Sequence, residues 1–481
     1  MTKTMTVLLM VVAATASRAG QVPDAIDAAA DAPYDMNAVY HVERPEGVGT
    51  GPTLHVATTG KDTARSDSAS PLRSLAAAVA RVKPGGVIVM HAGTYQGAVV
   101  NQGYGTSRAW VTLRAAPGEA VVLQGNPRGP AVPTLYFYNS SCDEYAPPGS
   151  VCVSGYWRVE NLKIMGYNGG GGDSNAVKID VQHVQIANSV LCCALPDVVK
   201  IVRTANDAAV LNSELYADAA TVMPGPNSQG VDITGADRVR IVGNFFHDLP
   251  DIALYAKGNA REPIFAANRI NNTGTSIRDS YNAIMLGQQT DEDRLVDGPY
   301  ESYDGLVVNN VISNVSGACL GASSSLNAKF YHNTCYRTAL RGHGAILVST
   351  EGGISYTPNK GAEFINNLIV NDASKPRMIR STDREYTQPT LAPLTIKSNV
   401  YWAGSRAVSF VWIPDFYENN SHEKWVAAYR KRYGVTDTSS VMDPKLTDMV
   451  PAQPVQGLPG FASRDFTGKV RTRATIGAYE Q

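Results

Sequence analysis

Short strand-like segments of one shape recur along the chain: apolar, any, apolar, any, Asn, any, apolar. The copies read VQIANSVL (Asn188), AAVLNSEL (Asn212), VRIVGNFF (Asn244), PIFAANRI (Asn268), LVVNNVIS (Asn310), AKFYHNTC (Asn333), EFINNLIV (Asn367) and TIKSNVYW (Asn399). The tightest spacings between successive copies are 23 and 24 residues, and the others are lengthened by insertion. A period in the twenties with strand alternation predicts a β-solenoid, because one coil cannot bury its own apolar face and stacked coils share a core. An amide that both donates and accepts suits a ladder at the coil bend, each copy bonding the next rung. The expectation is an all-β, single-stranded right-handed parallel β-helix.

The chain opens MTKTMTVLLMVVAATASRAG, with Lys3, an apolar run, and small residues Ser17 and Ala19 before Gly20. This reads as a secretory signal peptide over 1–19 and predicts a secreted or periplasmic protein with no membrane anchor. Removing Lys3 and Arg18 takes the basic count from 42 to 40 against 43 acids, a net of −3. That balance argues against a nucleic-acid partner. Six cysteines fit an oxidising compartment. Cys142 and Cys152 bracket a Pro/Gly-rich loop and are expected to pair. Pairing among Cys192, Cys193, Cys319 and Cys335 stays open.

Residues 20–50 read as an Ala/Asp/Pro-rich extension, and 51–481 as one β-helix domain. Within 54–95 a strand (LHVATTG) leads to Ser70-Pro71, read as the N-cap and first turn of a capping helix. Leu72, Leu75, Val79 and Val82 form its apolar stripe, and Lys83-Pro84-Gly85-Gly86 ends it. Such a helix covers the open end of the core. At the other end, 403–481 reads as a closing segment: a helix over 422–434, then a last strand pair over 465–480.

The segments LHVATTGKD and SPLRSLAAAVARVKPGGVIVMHAGTY, with the ending DFTGKVRTRATIGAYE, resemble the opening and terminus of exported bacterial right-handed parallel β-helix proteins. These belong to the pectate-lyase-like superfamily. The layout is nearest polysaccharide lyase families six and nine. The resemblance implies a polysaccharide substrate, a Lys or Lys/Arg base, and often calcium held by Asp. It implies activity only weakly, because that superfamily holds lyases, hydrolases, epimerases and non-catalytic binders. The dense Asp run of family nine is thinned here to LPDIALY, and Met285 of IMLGQQ stands where that family's Lys would fall.

Strand alternation places candidate chemistry on one outer face. Lys200 of VVKIV and Asp232 of GVDIT point outward and each lies twelve residues before Asn212 and Asn244, which predicts stacking in one column. Tyr255 and Lys257 straddle the matching position before Asn268, and Lys178 adds an earlier rung. Cleavage of a uronic-acid polymer by β-elimination requires neutralising the carboxylate, removing the C5 proton and protonating the leaving oxygen. Lys257 and Tyr255 are the expected base and acid, with Lys200 and Arg278 as carboxylate clamps. His247 is a further candidate, and Asp232, Asp248 and Asp251 form an oxygen-rich candidate calcium site.

Two other functions fit the same residues. Paired Asp side chains, Asp232 with Asp251 or Asp248, suit an inverting glycoside hydrolase. Tyr136, Tyr138, Tyr255, Tyr281, Tyr300, Tyr303 and Trp402 suit a glycan-binding solenoid without catalysis. An epimerase shares the first step of the lyase. A monomer is expected.

Overall fold

The fold is a computed structural model that describes residues 48–480 apart from short internal stretches, the longest being 218–228, 274–280, 350–356 and 382–392. The expected signal peptide and nearly all of the expected extension lie outside the described residues.

Three twelve-stranded sheets run the length of the molecule, and the chain visits them in rotation. A typical coil takes Arg240–Val242 in the first sheet, Phe245–His247 in the second and Leu254–Lys257 in the third. Strands pair in parallel with their counterparts one coil away, as Val231 to Leu254 and Ile241 to Phe265, except Phe416–Asn419, which pairs antiparallel at the end of the third sheet. The result is the right-handed parallel β-helix the sequence predicts. Inward residues such as Ile201, Ile233, Phe265, Phe330 and Phe364 form one continuous core with no exposure.

The bend between first and second sheets is two residues long and explains the asparagine repeat. The second residue of each bend carries the ladder. Asn244, Asn268, Asn310, Asn333, Asn367 and Asn399 are essentially unexposed. Each donates Nδ2 to a backbone carbonyl, and the backbone N–H and Nδ2 of one bond Oδ1 of the next, as Asn268 with Asn310 at 2.9 and 3.0 Å. Asn188 and Asn212 are not rungs, contrary to the expectation. They occupy the first bend position at φ 49° and 47°, and Ser189 and Ser213 take the ladder, Ser213 N donating to Asn244 Oδ1 at 2.9 Å. A side chain that bonds locally tolerates the left-handed conformation, so Asn is favoured at both positions of the bend for different reasons.

Both ends differ from the expectation in detail. The N-terminal helix is one short turn, Leu75–Val79, capped by Ser74 rather than Ser70. Leu72 instead bridges to Val56, and all four residues of the apolar stripe are buried. At the far end the helix His422–Tyr433 covers the core, running from Ser421 to a left-handed Gly434. Its buried Trp425 stacks on Phe410, and its buried Tyr429 meets Trp412 edge to face. The segment 465–480 forms no strand pair at that end. It folds back along the flank, where Asn309 Nδ2 donates to Arg464 O and Ala478 N donates to Thr334 Oγ1.

All six cysteines are paired: Cys142–Cys152, Cys192–Cys193 and Cys319–Cys335. Cys319 and Cys335 are both unexposed, and their bridge joins the third sheet to the second through the core. Among the described residues no helix is long and apolar enough to cross a membrane.

Candidate functional site

The register of the third sheet puts Tyr136, Lys178, Lys200, Asp232, Tyr255 and Met285 on successive rungs of one outward column. Lys257 lies opposite Thr234 in the neighbouring outward column. Lys200, Asp232, Tyr255 and Lys257 are therefore brought together.

Their environment is graded from surface to floor. Lys200 and Lys257 are partly exposed. Below them Asp232 is 3 % exposed, Asp251 3 %, Asp197 4 % and Tyr255 1 %. Lys200 Nζ is ion-paired with Asp232 and donates to Thr234 Oγ1 at 3.2 Å, while Thr234 donates to Asp232 Oδ1 at 2.9 Å. Tyr255 OH donates to Gln229 Oε1 at 2.7 Å, and Gln229 Nε2 donates to Asp251 Oδ2 at 3.3 Å. Lys257 Nζ stands 5.0 Å over the Tyr255 ring. Beside it the unexposed Glu301 accepts from Gly258 N at 2.9 Å and from Thr290. Burial raises the Glu301 carboxyl above its ordinary range, against the pull of Lys257.

Asp197 is the residue the sequence reading missed. By parity with Val199 and Ile201 it should face inward. The strand bends at its start, however, and both Val198 and Val199 enter the core, which leaves Asp197 outside, among Asp232, Asp251, Lys200 and Lys257. Burial and then the Asp232 charge push the Asp197 carboxyl well above its ordinary value. Its Oδ1 has no hydrogen-bond partner among the described residues. Asp232 goes the other way: burial opposes its charge, but Lys200 and Lys257 outweigh this and bring it to about 2. Burial and the nearby carboxylates hold the Tyr255 hydroxyl neutral, well above its ordinary value.

Other expected residues fall elsewhere. His247 belongs to the second sheet, stacked against Tyr216 and Phe245 with Nε2 3.0 Å from Glu214 and Nδ1 2.7 Å from Asp248. Asp248 turns at φ 53° and takes the amide of Asn272 as well as His247. Asp232, Asp248 and Asp251 therefore do not form one donor set, and no group of three His, Cys, Asp or Glu able to hold a metal exists among the described residues. The residues do not fit the expected calcium site, since Asp232 is taken by Lys200 and Asp248 by a different sheet. Arg278 lies outside the described residues. Lys178 continues the column but donates to Asp173 at 2.8 Å and sits 5.5 Å over Tyr136. The aromatic candidates do not share one face: Tyr303 lies in a separate three-stranded sheet under Arg261, and Trp402 is on the second sheet.

No family model matches the chain, and no curated protein matches it in sequence. Solved structures do. The lacto-N-biosidase of family GH136 from Eubacterium ramulus is 13 % identical over 81 % of this chain and 68 % of its own, with a TM-score of 0.52. The pectate lyase Pel9A is 14 % identical over 90 % of each chain at a TM-score of 0.45. PfbA, a surface adhesin of Streptococcus pneumoniae, is 12 % identical over 68 % of this chain and 80 % of its own at 0.45. The likeness to the biosidase shows a shared β-helix fold; identities this low transfer no residue roles.

Proposed function

We propose that the chain is a polysaccharide lyase that cleaves a uronic-acid-containing polymer by β-elimination at the third-sheet cluster. One observation carries the reading: two amines, Lys200 and Lys257, stand at the accessible edge of a floor whose carboxylates are buried. An approaching polymer meets the Lys200 cation before the buried carboxylates, and such an edge suits an anionic sugar. Lys200, already held charged by Asp232, pairs with the uronate carboxylate and acidifies the C5 proton. Lys257 is the base that takes that proton. The electron pair forms the C4=C5 double bond, the C4–O bond breaks, and the leaving oxygen takes a proton from water. Tyr255 is assigned to positioning here, because its hydroxyl is engaged with Gln229 and its ring carries Lys257. The disulfides and the signal-like N-terminus support export.

A second reading rests on a different observation. Asp197 and Asp232 sit on neighbouring rungs with protonation pushed apart, which is how an acid and a base are assigned in glycoside hydrolases. That the structurally similar biosidase is a glycosidase by name accords with it.

The test is purified protein against pectic, alginate-type, glycosaminoglycan and bacterial exopolysaccharide substrates, following ultraviolet absorbance of unsaturated uronate together with reducing ends. The lyase reading expects both signals to rise, and Lys257→Ala to lower the rate at least about 100-fold, the scale of losing a general base. Reducing ends without absorbance, abolished by Asp197→Asn, would replace it with the hydrolase.

A further inference from the structure

A groove of about 630 Å³ lies on the outer face of the second sheet, away from the Lys200–Asp232 cluster on the third. Its volume is that of a small-ligand site. Nothing in the activity proposed above uses it.

The register defines its floor. Asn271, Ser313, Tyr336, Val370 and Trp402 are successive rungs of one outward column. Rungs repeat at ~4.8 Å, so the Tyr336 and Trp402 rings stand roughly 10 Å apart along the solenoid axis. Both are partly exposed, with Val370 buried between them. Toward the N-terminal side the floor turns polar. Ser313 Oγ and Asn314 Nδ2 both donate to Asn271 Oδ1, at 3.0 and 2.9 Å. This fixes the Asn271 amide and leaves its nitrogen as a donor toward the groove. The opposite wall comes from the C-terminal hairpin Leu446–Thr447/Val450–Pro451 and its flanks, which contribute Asp443, Leu446 and Asp448. Across the groove stands one cation, Arg269, against the two carboxylates Asp443 and Asp448.

Aromatic faces set along an axis, with fixed amide and carboxylate groups beside them, are the chemistry that recognises a pyranose: its C–H face stacks and its hydroxyls bond the polar groups. The charge balance is net negative, the reverse of the lysine edge on the third sheet, and disfavours a uronate. We propose that this groove is a second carbohydrate site that binds a neutral oligosaccharide lying along the solenoid axis. The proposal is independent of the reaction at the third sheet.

Tryptophan emission provides the readout. Trp110, Trp157, Trp412 and Trp425 are buried, and Trp402 alone is partly exposed. The full chain is titrated with gluco-, xylo-, manno- and galacto-oligosaccharides, with oligogalacturonate as the charged control, while acrylamide quenching of Trp402 is followed. The expected result is saturable protection by a neutral oligosaccharide. That binding should weaken at least tenfold in Asn271→Ala and in Asp448→Gly. The second variant lies on an exposed hairpin outside the core, and glycine adopts the φ of 50° found there, so it separates lost binding from lost folding. Lys257→Ala should bind unchanged. The proposal is overturned if no neutral oligosaccharide protects Trp402, if only oligogalacturonate does, or if binding survives both groove variants and disappears with Lys257→Ala.

Discussion

Asp197 and Asp232 lie on adjacent strands in the same pocket of charge, Asp197 opposite Gln229, yet burial decides the first and two lysines decide the second. Their linkage to stability therefore has opposite signs. Asp232, brought down to about 2, stabilises the fold above the ordinary carboxylate range, and that contribution is lost as pH falls through about 2. Asp197 is held above its ordinary value, so the folded state binds the extra proton. Stability then declines as pH rises from the ordinary Asp value of about 3.9 toward the raised one. Asn mimics the protonated acid. Asp197→Asn should therefore melt with the parent near pH 4 and above it at pH 8, the gap widening between. Melting curves across that range check this, and a constant gap would mean that Asp197 does not carry the proton. Asp197 was not legible beforehand because alternation assumes a straight strand, and this strand starts on a bend. The stacking of Lys200 and Asp232 in one column was anticipated, but by compensation; their ion pair was not. The arc from Lys200 to its true rung, Ser213, is thirteen residues, whereas that from Asp232 to Asn244 is twelve.

The two-residue bend shows at the scale of an element what sequence reveals and what it leaves open. Both bend positions favour Asn, one for a left-handed backbone and one for the ladder. A bend reading Asn-Ser and one reading Gly-Asn therefore look like the same repeat one residue out of step. The repeat disclosed the architecture; only the hydrogen bonds tell the two positions apart. Substitutions should separate them as well. Asn310→Ala removes the acceptor for Asn268 and the donor for Phe265 O and Asn333 Oδ1, all without solvent access. Stranding those groups should cost about 3 kcal/mol. Asn212→Gly keeps the backbone at a φ that glycine adopts freely, and should stay within about 1 kcal/mol. Urea denaturation of both variants makes the comparison. Equal losses would mean that the ladder contributes no more than the turn.

For the whole molecule, stability in a solenoid is carried coil by coil, each touching only its neighbours, so the ends are where it opens. Sequence indicated helices at both ends because caps and apolar stripes are local signals. It misplaced 465–480 because whether a tail closes an end or lies along a flank depends on partners far away, here Asn309, Thr334 and Asn366, bonded by Arg471, Ala478 and Gly477. The C-terminal plug rests on Trp425, unexposed, stacked on Phe410 with centroids 5.2 Å apart and donating Nε1 to Asp437 at 2.9 Å. Trp425→Ala leaves a cavity over the last coil and strands the Asp437 carboxylate, a loss of about 4 kcal/mol if the end cannot collapse. A loss at an end is not shared evenly. The strands Thr395–Lys397 and Ser409–Trp412 lie beneath the plug, whereas Val177–Ile179 and Asp197–Val202 lie many coils away. Hydrogen exchange in the variant should therefore speed up first in the former pair, with the Lys200–Asp232 cluster protected as in the parent and activity at that cluster unchanged at moderate temperature. Uniform acceleration across all coils would mean instead that the β-helix unfolds as one cooperative block, and that its N-terminal coils depend on a plug they never touch.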